Sequence, residues 1–263
     1  NTIMIINENS NITFTGSEAD KSHFFGKDGE LPSLSDDITA SLDLITLPVE
    51  LKLYVARQCP HCPHVVRIIT PLALTNKNIR LKIIDCTISA DEAAKDNIMS
   101  VPCLILDNGF RWTGAVSAKD VVDMIINRDI SGLSTESLKM ILEEGKAGWI
   151  AEQMVEHGKM FEGFIGLITH ETWSVRLGAM VVLEEIEEKS PEIALTIAPE
   201  LLSRFKNADV PTQGDILYAL GVVGDSSVKD EIIRLMDITD HQKIHADVLE
   251  AAQEAIESIE SRL

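Results

Sequence analysis

Only four cysteines occur in 263 residues: Cys59, Cys62, Cys86 and Cys103. That is too few for a disulfide-stapled scaffold of this length. Basic residues are also scarce, with 23 Lys and Arg against 42 Asp and Glu and a net charge of −19. Phosphate backbones are held by Lys and Arg that displace counterions, so nucleic acid is excluded as a partner. The acidic excess suits a solvated surface or a basic partner. No apolar run approaches the ~18 residues that cross a bilayer, so no membrane partner is expected. No signal peptide is visible, and the cytoplasm is the expected compartment. The chain opens on Asn1 rather than Met, which leaves open whether a segment precedes it. There is no dinucleotide-binding glycine fingerprint, no H-E-x-x-H and no second C-x-x-C. The three tryptophans, Trp112, Trp149 and Trp173, are read as packing residues.

What is present reads as two kinds of chain. Hydrophobic residues are 45% and charged residues 25%, a globular mix, and the length allows two domains with cores of their own. Before residue 132, short β-rich runs alternate with helical patterns; after it strand signals almost vanish. ELKLYVA (50–56) reads as a buried strand. PHVVRIITPLALT follows with helical spacing, Pro63 in its first turn and Pro71 expected to kink it. RLKIID (80–85) is a second strand and DEAAKDNI (91–98) a short helix. PCLILDNGFRWTG (102–114) is a hairpin turning at Asn108-Gly109. Ser117 caps a last helix, AKDVVDMIIN. The order is β-α-β-α-β-β-α.

Residues 1–45 repeat the end of that pattern: a hairpin NTIMIIN/ITFTG, an acidic loop, then the helix SLSDDITASLDLIT. This predicts a partial second unit, an internal duplication whose first copy lacks its front half. Residues 134–263 read as helix after helix. WSVRLGAMVVLEEI, PTQGDILYALGVVGD and KIHADVLEAAQEAI align with Ala179, Ile216 and Val248 in register, at steps of 37 and 32 residues. Helical repeats of that period stack into solenoids.

The chemistry concentrates in RQCPHCPH, residues 57–64. C-x-x-C serves disulfide exchange, zinc binding, or neither. Here it falls between a strand and a helix. Cys59 stands at the helix N-terminus, where free N–H groups and the dipole favour a thiolate, the nucleophile of disulfide exchange. Cys62, one turn in, is the resolving thiol. His61 can add charge or a hydrogen bond to the sulfur, and Pro60 completes the tetrapeptide. No metal site is expected, because a zinc site would need two further ligands and Cys86 and Cys103 are single. These two are read as buried strand thiols. A proline opening a strand after a short helix, in this element order, points to a cis Val101–Pro102 bond.

With these motifs the chain resembles the thioredoxin superfamily: C-x-x-C after the first strand, Val101-Pro102 before the hairpin, Gly114 closing it. CPHCPHVVRIITPLA, IIDC and DNIMSVPCLILDNG are similar to the N-terminal domain of the alkyl hydroperoxide reductase flavoprotein. They are also similar to the glutaredoxin-like protein disulfide oxidoreductases. Residues 134–263 resemble short HEAT-like repeats. The resemblance implies a groove in which Pro102 lies beside the cysteine pair and backbone groups pair with a substrate chain. It also implies an acid near the reactive pair, and Asp28-Gly29-Glu30-Leu31 supplies Glu30 as proton acceptor for Cys62. Cys-Pro-His-Cys matches the Dsb-type thiol oxidants over four residues only. No flavin domain follows, and the thioredoxin-type buried acid is absent from LKLYVA.

The expected architecture is an α/β thioredoxin fold with a mixed central sheet at 46–131. It is preceded by a partial thioredoxin-like unit at 1–45 and followed by an all-α HEAT-like solenoid at 132–263. The expected function is thiol–disulfide exchange with protein thiols and disulfides through Cys59 and Cys62, with no cofactor beyond that pair. After residue 133 there are 25 acids and 11 bases and no catalytic constellation, so the helical half is read as docking an unidentified protein. His241 and His245 are read as solvated or capping residues. The alternatives are an adaptor whose binding is switched by the pair, and a metal-binding domain.

Overall fold

The computed structural model describes residues 3–5, 11–26, 31–107, 109–238 and 244–262. The chain divides into two compact units, residues 1–137 and 138–263.

The first unit is built on a six-stranded mixed sheet in the order β1-β2-β4-β3-β5-β6. β3 (Val49–Val55) and β4 (Ile79–Asp85) are parallel neighbours at its centre, with Val49 opposite Ile79 and Val55 opposite Asp85. Parallel strands need a crossover, and α3 (Cys62–Thr75) supplies it. β5 (Cys103–Leu106) runs antiparallel to β3 and forms a hairpin with β6 (Arg111–Thr113). α4 (Ala90–Lys95) precedes the hairpin and α5 (Ala118–Ile126) follows it. As expected, the Ser117 side chain caps α5, accepting from the Asp120 N–H at 3.1 Å. α3 continues through Pro71 to Thr75. Asn108, expected in the hairpin turn, lies outside the described residues.

β3 is buried on both faces, as a central strand must be. Leu51, Leu53 and Val55 face a large core with Val65, Val66, Ile69 and Leu72 of α3. Tyr54 faces a smaller one with Ile84, Ala93, Cys103 and Ile105. The Tyr54 hydroxyl is satisfied there by donating to Asp96 at 2.6 Å, and Lys52 pairs with the same carboxylate at 3.0 Å.

Two strands ahead of β3 join this same sheet. β1 (Ile3–Ile5) and β2 (Ile12–Thr15) are antiparallel, and β2 pairs in parallel with β4, Ile12 opposite Leu81. The segment read as an acidic loop forms a helix, α1 (Glu18–Phe25). Its start is a capping box: Ser17 accepts from the Asp20 N–H, and Asp20 accepts from the Ser17 N–H. Phe24 and Phe25 then bury against Phe14. α2 (Asp36–Leu42) occupies part of the helix expected at SLSDDITASLDLIT.

A buried polar cluster ties the end of β5 to the following helices. Asp107, in the left-handed region at φ 48°, accepts from the Glu50 N–H at 3.2 Å and from the Ser137 hydroxyl at 2.6 Å. Arg128 Nε stands 3.3 Å from the same carboxylate, and its other nitrogens donate to the Ile125 and Pro48 carbonyls. Burial pushes the Asp107 carboxyl up and the Arg128 guanidinium down, each toward neutrality, while their mutual attraction opposes both shifts.

The second unit is helical. It takes in the remainder of α6 (Thr135–Glu143), then α7 (Ala147–His157), α8 (Phe164–Ile168), α9 (Trp173–Lys189), α10 (Pro191–Leu195), α11 (Ala198–Phe205), α12 (Val210–Val223), α13 (Ser226–Ile238) and α14 (Ala246–Glu260). α12 packs against both α9 and α14. These three begin at residues 173, 210 and 246, steps of 37 and 36 residues where the sequence alignment has 37 and 32. A Cβ on Gly221 would stand 3.0 Å from the Ala255 Cα, and one on Gly224 2.8 Å from Ile259 Cδ1. The contacts advance together along both helices, so α12 and α14 run parallel, at a separation that requires glycine. Arg176 is buried on α9 and bonded to Asp215 of α12 at 2.5 Å. His245 caps α14, accepting from the Asp247 N–H, and His241 lies outside the described residues. Trp173, expected to be a packing residue, is instead 62% exposed. As the first residue of α9 it sits where the helix meets solvent.

Candidate functional site

Strand β3 ends at Val55, and a turn closed by the Cys59 N–H on the Ala56 carbonyl, at 3.0 Å, leads into the motif. Cys62 is the first residue of α3 and His61 its N-cap, so Cys59 lies in the loop ahead of the helix rather than within it. Pro63 follows in the first turn, where the missing N–H has no helical partner to lose. The two sulfurs differ in exposure: Cys59 is half-buried and Cys62 fully buried. Pro60 and His61 are exposed, and the His61 side chain makes no capping bond.

The Val101–Pro102 peptide bond is cis, as its sequence position indicated. Val101 is half-buried, and its carbonyl accepts from Cys59 Sγ at 3.5 Å. Pro102 is buried, and its carbonyl accepts from the Gly114 N–H at 2.8 Å. Gly114 sits at φ +88°, a conformation open to glycine. The structure thus brings together Cys59, Cys62 and Val101-Pro102 and leaves Pro60 and His61 at the rim. Glu30 lies outside the described residues.

One contact was not anticipated. Arg57, two residues before Cys59, reaches Asp20 of α1 at 3.1 Å. The Ser17 hydroxyl, opposed by burial and aided by Arg57, holds the Asp20 carboxyl below its ordinary range. The pairing fastens the motif's loop to α1. No local sequence signal announces it, because the two residues stand 37 positions apart in the chain.

Burial pushes the Cys62 thiol up to about 12, against a bond from the Ala56 backbone that lowers it, and the neighbouring Cys59 sulfur adds to the rise. Once Cys59 is joined to a substrate its charge is gone, but the burial remains. The thiolate fraction of Cys62 therefore grows about tenfold per pH unit well below its pKa. The release of a substrate held on Cys59 is expected to accelerate about tenfold per unit between about pH 7 and 9. Stopped-flow mixing of a preformed mixed disulfide checks this, and a flat profile would contradict it.

Cys103 is buried, as expected, whereas Cys86 is only half-buried. Burial raises both thiols, Cys86 to about 11. Cys103 pairs in register with Tyr54, and the Cys86 N–H bonds Val55 on the other side of β3. Two strand spacings of about 4.8 Å separate their backbones, beyond the ~7 Å Cα limit of a disulfide. Among the described residues no three His, Cys, Asp or Glu side chains stand together so as to hold a metal ion. Nor is any described helix long and apolar enough to cross a membrane.

Residues 49–127 match the family model of the thioredoxin domain. This segment is a thioredoxin-like domain. The chain is 29% identical over 97 residues to the alkyl hydroperoxide reductase protein AhpF of Pseudomonas aeruginosa, a match covering 37% of this chain and 19% of that protein. It thus spans about a fifth of that relative's length. Among solved structures it is similar to the N-terminal domain of the alkyl hydroperoxide reductase AhpF of Enterococcus faecalis. That match has 20% identity and a TM-score of 0.37, over 44% of this chain and 58% of the other. It is also similar to a protein disulfide oxidoreductase from Aeropyrum pernix, at 22% identity and a TM-score of 0.34, over 36% and 43% of the two chains.

Proposed function

We propose that the protein is a thiol–disulfide oxidoreductase acting on protein substrates through Cys59 and Cys62. The observation that carries this reading is the unequal pair: a half-buried Cys59 against the Val101 carbonyl, beside a fully buried Cys62, in a thioredoxin-like domain. In reduction, the Cys59 thiolate attacks one sulfur of a substrate disulfide, and the other substrate sulfur leaves as a thiolate. Cys62 gives up its proton and attacks Cys59. The second substrate thiol is released, and Cys59–Cys62 is left oxidised by two electrons. Run backwards, the same steps oxidise a dithiol. The chemistry needs no cofactor beyond the two sulfurs. His61 and Pro60 tune the exposed rim, and Val101 and Pro102 line the groove for the substrate chain. In this reading the helical unit, with its HEAT-like spacing, binds a partner protein, and the protein works in the cytoplasm.

The test is a glutathione titration with thiol alkylation and mass mapping of Cys59 and Cys62. A reversible disulfide at about −120 to −180 mV indicates an oxidant or isomerase, and one near −270 mV a reductase. Failure to form the disulfide at any poise would refute the reading.

A further inference from the structure

The layer containing α9 and α12 leaves an apolar stripe uncovered. Trp173, Leu177 and Val181 follow one another at four-residue steps on α9, so they share one face. They are 62%, 49% and 49% exposed. Tyr218 of α12, 50% exposed, joins the stripe through its hydroxyl, which donates to Glu184. Glu184 and Glu188 continue the same face toward the C-terminal end of α9, where the helix dipole adds negative potential. The cations of α9 offset them only in part: Arg176 is turned inward onto Asp215, and Lys189 is paired with Glu185 at 2.7 Å and shares its remaining attraction between Glu152 and Glu188.

Single exposed apolar residues are ordinary, but four gathered from two helices form a patch. Charge selects what could cover it. Residues 138–263 contain 24 acids and 11 bases, so a second copy of this chain, or an anionic lipid surface, would be repelled. We propose that this face binds an amphipathic helix of a partner protein, apolar on one side and rich in Lys and Arg beside it. Its apolar side chains lie on Trp173, Leu177 and Val181, and its cations meet Glu184 and Glu188. The inference rests on the reading of the helical unit as the partner-binding half, and it is independent of the cysteine chemistry.

The test uses the full chain and a fluorescently labelled helical peptide of about 18 residues, patterned from Leu and Lys, with a twin carrying Glu in place of Lys. Fluorescence anisotropy is expected to show saturable binding of the Leu/Lys peptide alone. Leu177→Lys, a change at an exposed position, is expected to weaken it about tenfold or more. Leu44→Lys makes the same change on the 66%-exposed Leu44 of the first unit and is expected to leave binding within about twofold. No binding of the Leu/Lys peptide, equal binding of both peptides, or equal weakening by the two variants overturns the proposal. So does self-association in the ultracentrifuge that Leu177→Lys abolishes. Insulin reduction measured on the same samples separates the two readings, because exchange can fail while peptide binding stands, and the reverse.

Discussion

Cys59→Ser is expected to lower disulfide exchange on insulin by at least about 10³-fold, to the rate without protein, because the hydroxyl supplies no nucleophile at neutral pH. Cys62→Ser should fail differently. Its Cys59 is half-buried and keeps its contact with the Val101 carbonyl, so attack still occurs. With no second thiol to finish the exchange, the substrate stays attached. A single burst of substrate thiol, then a mixed disulfide of one substrate per chain on a non-reducing gel, is the expected result. Both variants should melt with the parent within about 1 kcal/mol, since serine replaces sulfur nearly isosterically. Turnover above about a tenth of the parent in Cys59→Ser would end the assignment of this cysteine as nucleophile.

The largest loss of stability is expected at a residue remote from the cysteines. Asp107→Ala removes the acceptor of the Glu50 N–H and of the Ser137 hydroxyl and leaves Arg128 buried without its counter-charge. Breaking a buried pair from one side costs about 3–5 kcal/mol. For a unit of this size that lowers the melting temperature on the order of 10 °C. Asp107→Asn keeps the acceptor oxygen and tolerates φ 48°, so it should lose less and isolate the contribution of charge. Thermal unfolding followed by circular dichroism decides it. An alanine variant melting within about 2 °C of the parent would mean that the cluster fastens nothing.

The thioredoxin-like domain was legible where local signals and packing agree. ELKLYVA alternates, with Leu51, Leu53 and Val55 turned to the core beneath α3 and Glu50, Lys52 and Tyr54 to the other face, and the cysteines are placed by the junction that ends this strand. α1 was not legible, because SEADKSHFF carries no amphipathic period. It is held by the Ser17–Asp20 box and by two phenylalanines that find Phe14 only in the folded sheet. Asp107 has no reading of its own beside the Asn108-Gly109 turn. Its partners Arg128 and Ser137 are distant in the chain, and no local pattern announces them. Trp173 misled for a related reason: an aromatic residue marks burial only on average, and here the first residue of α9 is left facing solvent. At the site, the spacing of the two cysteines was plain, while the Arg57–Asp20 tie depended on α1.

The pairing of β2 with β4 has a kinetic consequence. Ile12 faces Leu81, 69 residues later, so the sheet closes only after a long loop has been ordered. The helices of residues 138–263 meet partners mostly one to three elements away, α12 with α14 and α7 with α9 foremost, and these shorter spans close faster. On the ribosome, at about 5–20 residues per second, β2 leaves several seconds before β4 exists to receive it. During that interval Ile12 and Phe14, both fully buried in the finished sheet, are open to any strand or chaperone nearby. The slow step of this chain's maturation, and its exposure to misassembly, therefore lie at the edge of the sheet rather than in the helical half.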